Sequence, residues 1–295
     1  MIHIIIPVHN RIKYSKKCLE SLDSESYSNW CLYFIDDGST DGTSEWLSAL
    51  ERDDVQHIGG DGTLWWTGAM KVGVEHVLAR CEEFDYIMSL NNDLVLRGDT
   101  LVTLLDAINS NGKSICSSIS ISDVKSEIVM SSGSRVISWI LNIQWHPFVG
   151  KQYIDIIDEP IIELDFLTGR SVIYPVALFV DNNFDAANFP QYGGDSEFSA
   201  RAKRMGYRLL LIPKSAVSVS RESTGLNPMD KKLSLREMIS SLSSIRSTNN
   251  LSTKAKLAMR VPPWYARPTY FIIAILKIFI QLIIGNYMVK RRGKR

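Results

Sequence analysis

Side chains able to handle a phosphorylated ligand fall in four short clusters, in a fixed order along the chain. They are Ile6-Pro7-Val8-His9-Asn10, Asp36-Asp37-Gly38-Ser39-Thr40-Asp41, Asn91-Asn92-Asp93 and Gly194-Asp195-Ser196-Glu197. The first three each close an apolar run that reads as a buried strand, and open α/β sheets collect their ligands at the carboxyl ends of such strands. Carboxylates gathered along that edge suit a hard divalent cation and a diphosphate. The fourth cluster opens a helical segment, where a carboxylate is placed to act as a general base.

The elements needed to position these clusters are legible in the periodicity. Apolar runs at 2–8, 30–35, 55–58 and 86–90 alternate with helical patterns: one through Cys18, Leu19 and Leu22, one through Trp46, Leu47 and Leu50 with Asp41 as its cap, and two over about 67–80 and 99–109. Alternation of this kind predicts an α/β fold with a mostly parallel central sheet flanked by helices. Beyond Ser114 the pattern loosens into short β-type runs around Trp139, Trp145, His146, Pro147 and Phe148. Further strands are predicted at 163–167, 172–174 and 208–212, and a helix over 195–205 that Gly206 ends. The expected organisation is a catalytic domain over 1–225, divided into a nucleotide-binding half (1–110) and an acceptor half (111–225), followed by a helical extension over 226–295.

That extension differs in character. Ser234 and Glu237 form a capping box for a helix that aligns Leu235, Met238, Ile239, Leu242 and Ile245. Pro262-Pro263 then breaks the chain before an apolar helix expected over about 270–289. Lys277, Gln281, Gly285 and Met288 mark one stripe of this helix, and Ile272, Ile275, Leu276, Phe279 and Ile283 crowd the other side. From Lys254 to the end there are ten basic residues and no acidic one. An amphipathic helix flanked by positive charge is expected to lie on the cytoplasmic membrane surface. At about 20 residues it also has the length of a span, and docking on the protein's own core is the third reading.

Composition narrows the class. Of 295 residues 33 are basic and 32 acidic, a formal charge of +1, which gives no reason to expect nucleic acid as a partner. Four cysteines without CxxC spacing suit a reducing compartment. The chain starts directly on a strand with no cleavable leader pattern, so the cytoplasm is expected. Five histidines without metal spacing argue against zinc. No GxGxxG follows a strand, which argues against a nicotinamide cofactor. A nucleotidyltransferase would carry a glycine- and arginine-rich phosphate loop near its start, and Pro7-Val8-His9-Asn10-Arg11 does not supply one.

Over about residues 2–225 the order of these motifs resembles the family 2 glycosyltransferases of the GT-A fold, in particular bacterial rhamnosyltransferase-like enzymes of surface polysaccharide synthesis. The resemblance implies that Asp37, or secondarily Asp36, accepts a hydrogen bond from the N3–H of a uracil or thymine ring, with Pro7, His9 and Asn10 as the facing wall. It implies that the segment from Gly60 through Gly68 to Lys71 approaches the diphosphate, with Lys71 adding charge and Trp65 or Trp66 packing on a base or sugar. Asp93 becomes the ligand of Mg2+ or Mn2+, with Asn91 and Asn92 as neutral neighbours; the family usually shows an aspartate-any-aspartate triplet here, of which this chain keeps the last aspartate and has Asn91 in place of the first. Thr168-Gly169 becomes the turn facing the donor sugar. Asp195 becomes the catalytic base, against the plainer reading of a helix cap paired with Arg201. Glu197 orients the acceptor or binds Arg201, and Ser220 or Arg221 stands where many relatives place a histidine.

The implied function is inverting transfer from a nucleoside-diphosphate sugar to a lipid-linked saccharide, in bacterial O-antigen, capsule or cell-wall glycan synthesis. dTDP-rhamnose is the favoured donor. A UDP-hexose or UDP-N-acetylhexosamine is the alternative donor, and a non-catalytic membrane-bound scaffold the alternative role.

Overall fold

The computed structural model describes residues 1–123, 127–219 and 234–292, with side chains to residue 284 in the last helix. The first half alternates as its periodicity requires, with one added strand, β5, that the periodicity does not show: β1 (Ile2–Val8), α1 (Ile12–Asp23), β2 (Trp30–Asp36), α2 (Thr43–Ser48), β3 (Val55–Gly59), α3 (Trp65–Leu78), β4 (Tyr86–Leu90), β5 (Leu94–Arg97) and α4 (Thr100–Ser110). There follow β6 (Ser114–Ser122), β7 (Val129–Ser131), a hairpin of β8 (Arg135–Ser138) and β9 (Ile143–Trp145), β10 (Ile162–Leu164), β11 (Ser171–Pro175), α5 (Gly194–Arg204) and β12 (Arg208–Val219). Three helices close the chain: α6 (Leu235–Ser241), α7 (Leu251–Arg260) and α8 (Arg267–Arg292).

The main sheet runs β10-β12-β6-β11-β4-β1-β2-β3. Its β4-β1-β2-β3 half is parallel, as is the β12–β6 pair. β11 is antiparallel to both of its neighbours, β4 and β6. An apolar run reports that a strand is buried and says nothing of its direction, so this reversal has no sequence signal. The expected strand at 163–167 stops at Leu164, leaving Phe166 and Leu167 as buried loop residues. The strand expected to end at 212 continues to Val219 through a register shift between Ile212 and Ala216.

Strand β1 shows how the sheet divides two cores. Ile2, Ile4, Ile6 and Val8 share an apolar cluster with Cys18, Leu19 and Leu22 of α1. Ile5 joins Ala69, Met70 and Val74 of α3 on the opposite face. α3 approaches β1 so closely that a Cβ on Gly73 would lie 2.4 Å from Ile5 Cγ2. Gly73→Ala is therefore expected to lower stability by about 1–3 kcal/mol through overpacking, outweighing the helix propensity gained. Chemical denaturation checks this, and an unchanged or raised midpoint would refute the close fit.

The cysteines are unpaired, and burial pushes the Cys116 thiol up to about 12, which keeps it unreactive. The Ser234–Glu237 capping box is present, with the Ser234 side chain accepting from the Glu237 amide. α6 ends at Ser241, so Ile245 lies beyond it. α8 starts earlier than expected, and Tyr270, Ala274, Ile278 and Leu282 form a buried stripe at four-residue spacing. Ile278 and Leu282 pack with Met238, Leu242 and Leu251, so one face of α8 does dock on the protein.

Candidate active site

Three loops at the carboxyl edge of the parallel strands are stitched together by side chains. The Asn10 amide donates to Ser39 Oγ at 2.7 Å and the Thr40 amide donates to Asn10 Oδ1 at 2.8 Å, binding the loop after β1 to the loop after β2. Asp41 accepts from the Thr43 amide beside α2 and also from the Ile12 amide at the start of α1. Asn10, Arg11 and Trp65 all hold left-handed backbone, with φ of 60°, 68° and 57°. Non-glycine residues held this way concentrate at ligand sites.

Asp37 is buried and organises the cleft floor. Its Oδ1 accepts from the Gly62 and Leu64 amides at 2.8 and 3.2 Å, and its Oδ2 from the Trp65 amide at 2.9 Å. Its carbonyl accepts from His9 Nδ1 at 2.7 Å. Asp36 is turned inward onto the Ser39 amide and the Ser44 hydroxyl. The cleft above Asp37 has a volume of about 590 Å3, and Pro7, His9, Asn10, Trp65, Trp66, Asn92 and Asp93 line it.

Asp93 is partly exposed at one side of this cleft, and Arg11 Nη1 pairs with its Oδ2 at 3.1 Å. Asn92 is buried and its side-chain amide donates to Ser15 Oγ. Asn91 Oδ1 accepts from Trp66 Nε1 at 3.0 Å. Trp66 then runs beneath Gly169, where a Cβ would lie 2.4 Å from the indole. The Gly169 amide in turn reaches Asp195 Oδ2 at 3.4 Å. A continuous path, Asn91–Trp66–Gly169–Asp195, thus leads out of the cleft to a second cavity of about 430 Å3 lined by Thr168 and Asp195.

At the start of α5, Asp195 Oδ1 accepts from the Ser196 amide at 2.7 Å. Burial pushes the Asp195 carboxyl above its ordinary value, against the opposing pull of the Ser196 and Gly169 amides and the Arg170 charge. Arg201 is engaged elsewhere: its Nε and Nη2 grip buried Glu197 at 2.9 Å each. The Asp195–Arg201 pairing is therefore not formed. Of the two readings for Glu197, the geometry takes the one in which it holds Arg201.

Two expectations need correction. Lys71 lines neither cavity; it sits on the far side of α3, ion-paired with Glu75. Gly68 is buried against Leu64 and Ala186 and is likewise not part of the lining. Arg221, with Ser220, lies outside the described residues. Sequence reasoning missed Arg11, Gln191, Tyr192 and Arg246 of the cleft, and Lys254, Leu257, Val261 and Tyr270 of the second cavity. Arg246 stacks over the Trp65 ring at 5.6 Å. The last five come from the segment assigned to an extension, where nothing signalled a return to the site.

Among the described residues no group of three or more His, Cys, Asp or Glu is placed to hold a metal. Asp93 is partly exposed to the cleft, and to hold a metal ion it would share with it, or release, the Oδ2 now paired with Arg11. One carboxylate with diphosphate oxygens supplying the rest is an ordinary arrangement for Mg2+.

This arrangement of sheet, cleft and adjoining cavity has the fold of the GT-A glycosyltransferases. A crystal structure of GalNAc-T7 with UDP, GalNAc and Mn2+ superposes with a TM-score of 0.62 at 12% identity, over 96% of this chain and 56% of that one. The mannosyltransferase PcManGT from Pyrobaculum calidifontis, in complex with GDP-Man and Mn2+, gives 0.57 at 13% identity over 98% and 73%. Residues 3–161, more than half of the chain, match Glycosyl transferase family 2, and the chain belongs to that family. It also resembles uncharacterized glycosyltransferases of Rickettsia felis and Rickettsia conorii, 28% and 29% identical over 37% of this chain. The match takes in 17% of the length of each of these relatives.

Proposed function

We propose that the protein transfers a sugar, with inversion, from a nucleoside-diphosphate donor in the larger cleft to a hydroxyl of a saccharide acceptor in the smaller cavity. The observation that carries this reading is the position of Asp195, joined through Gly169 and Trp66 to the donor side while facing the acceptor side. Asp195 accepts the acceptor's hydroxyl proton as that oxygen bonds to the anomeric carbon. The bond from that carbon to the diphosphate breaks in the same step, and the nucleoside diphosphate leaves. Asp37, with the amides it gathers, and Asn10 shape the base pocket, while Trp65 and Arg246 offer a stacked surface beside it. Asp93 holds one side of a Mg2+ or Mn2+ site completed by the donor, where the ion supplies charge neutralisation to the leaving group.

The fold neighbours hold UDP and GDP-mannose with Mn2+, which supports a nucleotide sugar and a divalent cation here. We read the donor as dTDP-rhamnose and the acceptor as a lipid-linked saccharide of bacterial surface glycan synthesis. α8 supports peripheral attachment to the cytoplasmic membrane face, since residues 264–284 are apolar enough to cross a membrane and only 17% of the most apolar stretch is buried.

Titration of dTDP and UDP, with and without Mn2+, tests the donor site. Asp93→Ala is expected to weaken metal-dependent nucleotide binding by about tenfold or more, the loss of one charged ligand. Absence of binding of either nucleotide under every metal condition would sink the transferase reading in favour of a scaffold.

A further inference from the structure

The cavity that holds Asp195 contains a second charged group with no counter-charge. Lys254, from the first turn of α7, lines it together with Leu257 and Val261 of the same helix and Tyr270 of α8. Among the described residues no carboxylate lies within ion-pairing distance of Lys254, and its ammonium has no hydrogen-bond acceptor. The charge acting on it is that of another cation, Lys277 of α8, whose ammonium donates to the Asn142 carbonyl. Burial and this neighbour both push the Lys254 ammonium below its ordinary value. The charge acting on Asp195 comes from Arg170, so Lys254 is not that carboxylate's partner.

Two neighbouring cations taken partly out of water with no anion between them are unfavourable in the empty protein. Such an arrangement becomes favourable when a ligand brings the negative charge, and charge-assisted hydrogen bonds to phosphoryl oxygens are strong ones. The walls beside Lys254 are apolar, and Tyr270 leads onto α8, whose outward residues Ile272 and Leu276 are exposed. The cavity thus joins Asp195, the Lys254 ammonium and an apolar wall, and through Tyr270 that wall belongs to the helix bearing the exposed apolar residues.

We propose that Lys254 binds the phosphoryl oxygens of a lipid-linked diphosphate acceptor, fixing its saccharide hydroxyl at Asp195 while the lipid passes along α8. This deepens the transferase reading and rests on it. The same chemistry could be met by a bilayer phospholipid headgroup, and the test separates the two.

The probes are farnesyl diphosphate, farnesol, inorganic pyrophosphate and vesicles containing an anionic phospholipid, with dTDP and UDP binding measured on the same samples. Wild type should bind farnesyl diphosphate well above farnesol, with pyrophosphate between. Lys254→Met should weaken farnesyl diphosphate binding about tenfold, and Lys254→Arg should restore most of it. Melting temperature should stay level or rise in Lys254→Met, because an uncompensated charge has been removed, so the comparison is made on folded protein. Equal binding of farnesyl diphosphate by Lys254→Met and wild type, with nucleotide binding intact, would overturn the anion site and leave the transferase reading standing. A tenfold drop of Lys254→Met in vesicle partitioning, with farnesyl diphosphate binding unchanged, would overturn it in favour of a headgroup. Wild type that binds no nucleotide would overturn the transferase reading, and the site would then stand or fall on the farnesyl diphosphate arm.

Discussion

Asp195→Asn is expected to lower kcat about 1,000-fold, the middle of the range for loss of a positioned general base. The donor KM should change little, because Asp195 meets the cleft only through Gly169 and Trp66. The asparagine keeps the shape of the side chain and, with its oxygen at the Oδ1 position, the 2.7 Å bond from the Ser196 amide, giving up only the longer 3.4 Å bond from Gly169, so the start of α5 is preserved. Stability gives an independent check. The folded-state carboxyl lies above its unfolded value, so its contribution to stability is complete below the unfolded pKa and is lost as pH rises through the folded one. At neutral pH the wild type therefore carries a penalty that the asparagine lacks, and the variant should melt at an equal or higher temperature. Wild-type rate should fall on the acid side with an apparent pKa above the ordinary carboxylate range. A variant that keeps a tenth of wild-type kcat would remove Asp195 from the base role and return it to capping α5.

Much of this could be read from residue order, and what could not has identifiable causes. β1, β2 and β4 follow from local periodicity because they are buried almost throughout, and α1 to α4 because each buries one face, so these elements write their own pattern, whereas the short, half-exposed β5 does not. The clusters around Asp37, Asn92 and Asp93 inherit their place from those strands. Lys71 is carried away from the cleft by its helical phase. It stands two residues beyond Ala69, which lines the cleft, and two residues turn a helix by about 200°. The reversed β11 depends on pairing partners far away in the chain, β4 and β6, and a single apolar run does not name its partner. Arg246, Lys254 and Tyr270 reach the two cavities only because α7 and α8 fold back over the domain. α8 itself wrote two signals at once. The stripe of Tyr270, Ala274, Ile278 and Leu282 is explained by docking on the protein, and the remaining apolar residues are left over from it.

That remainder should govern membrane association. Ile272, Leu276, Phe279 and Ile283 are 58%, 54%, 48% and 67% exposed and lie off the docked stripe. Replacing Phe279 and Ile283 together by glutamate is expected to reduce partitioning into anionic vesicles about 100-fold or more, since burying one such side chain is worth about 1.5–3 kcal/mol. The introduced charges also oppose the anionic surface that the basic carboxyl-terminal residues favour. Folding should survive, because Ala274, Ile278 and Leu282 keep their contacts, and an unchanged melting temperature verifies this. Nucleotide binding should be untouched, as neither residue lines the donor cleft. A peripheral helix predicts that wild type leaves vesicles on alkaline carbonate washing and binds less as salt rises, since its electrostatic part is screened. Retention after carbonate would mean that α8 spans the bilayer. The stripe now packed on α6 and α7 would then have to exchange its protein contacts for lipid, and Tyr270 would leave the acceptor cavity. Release of the double variant at low salt, with wild type retained until the carbonate step, would instead leave the helix lying on the surface and the acceptor cavity open beside it.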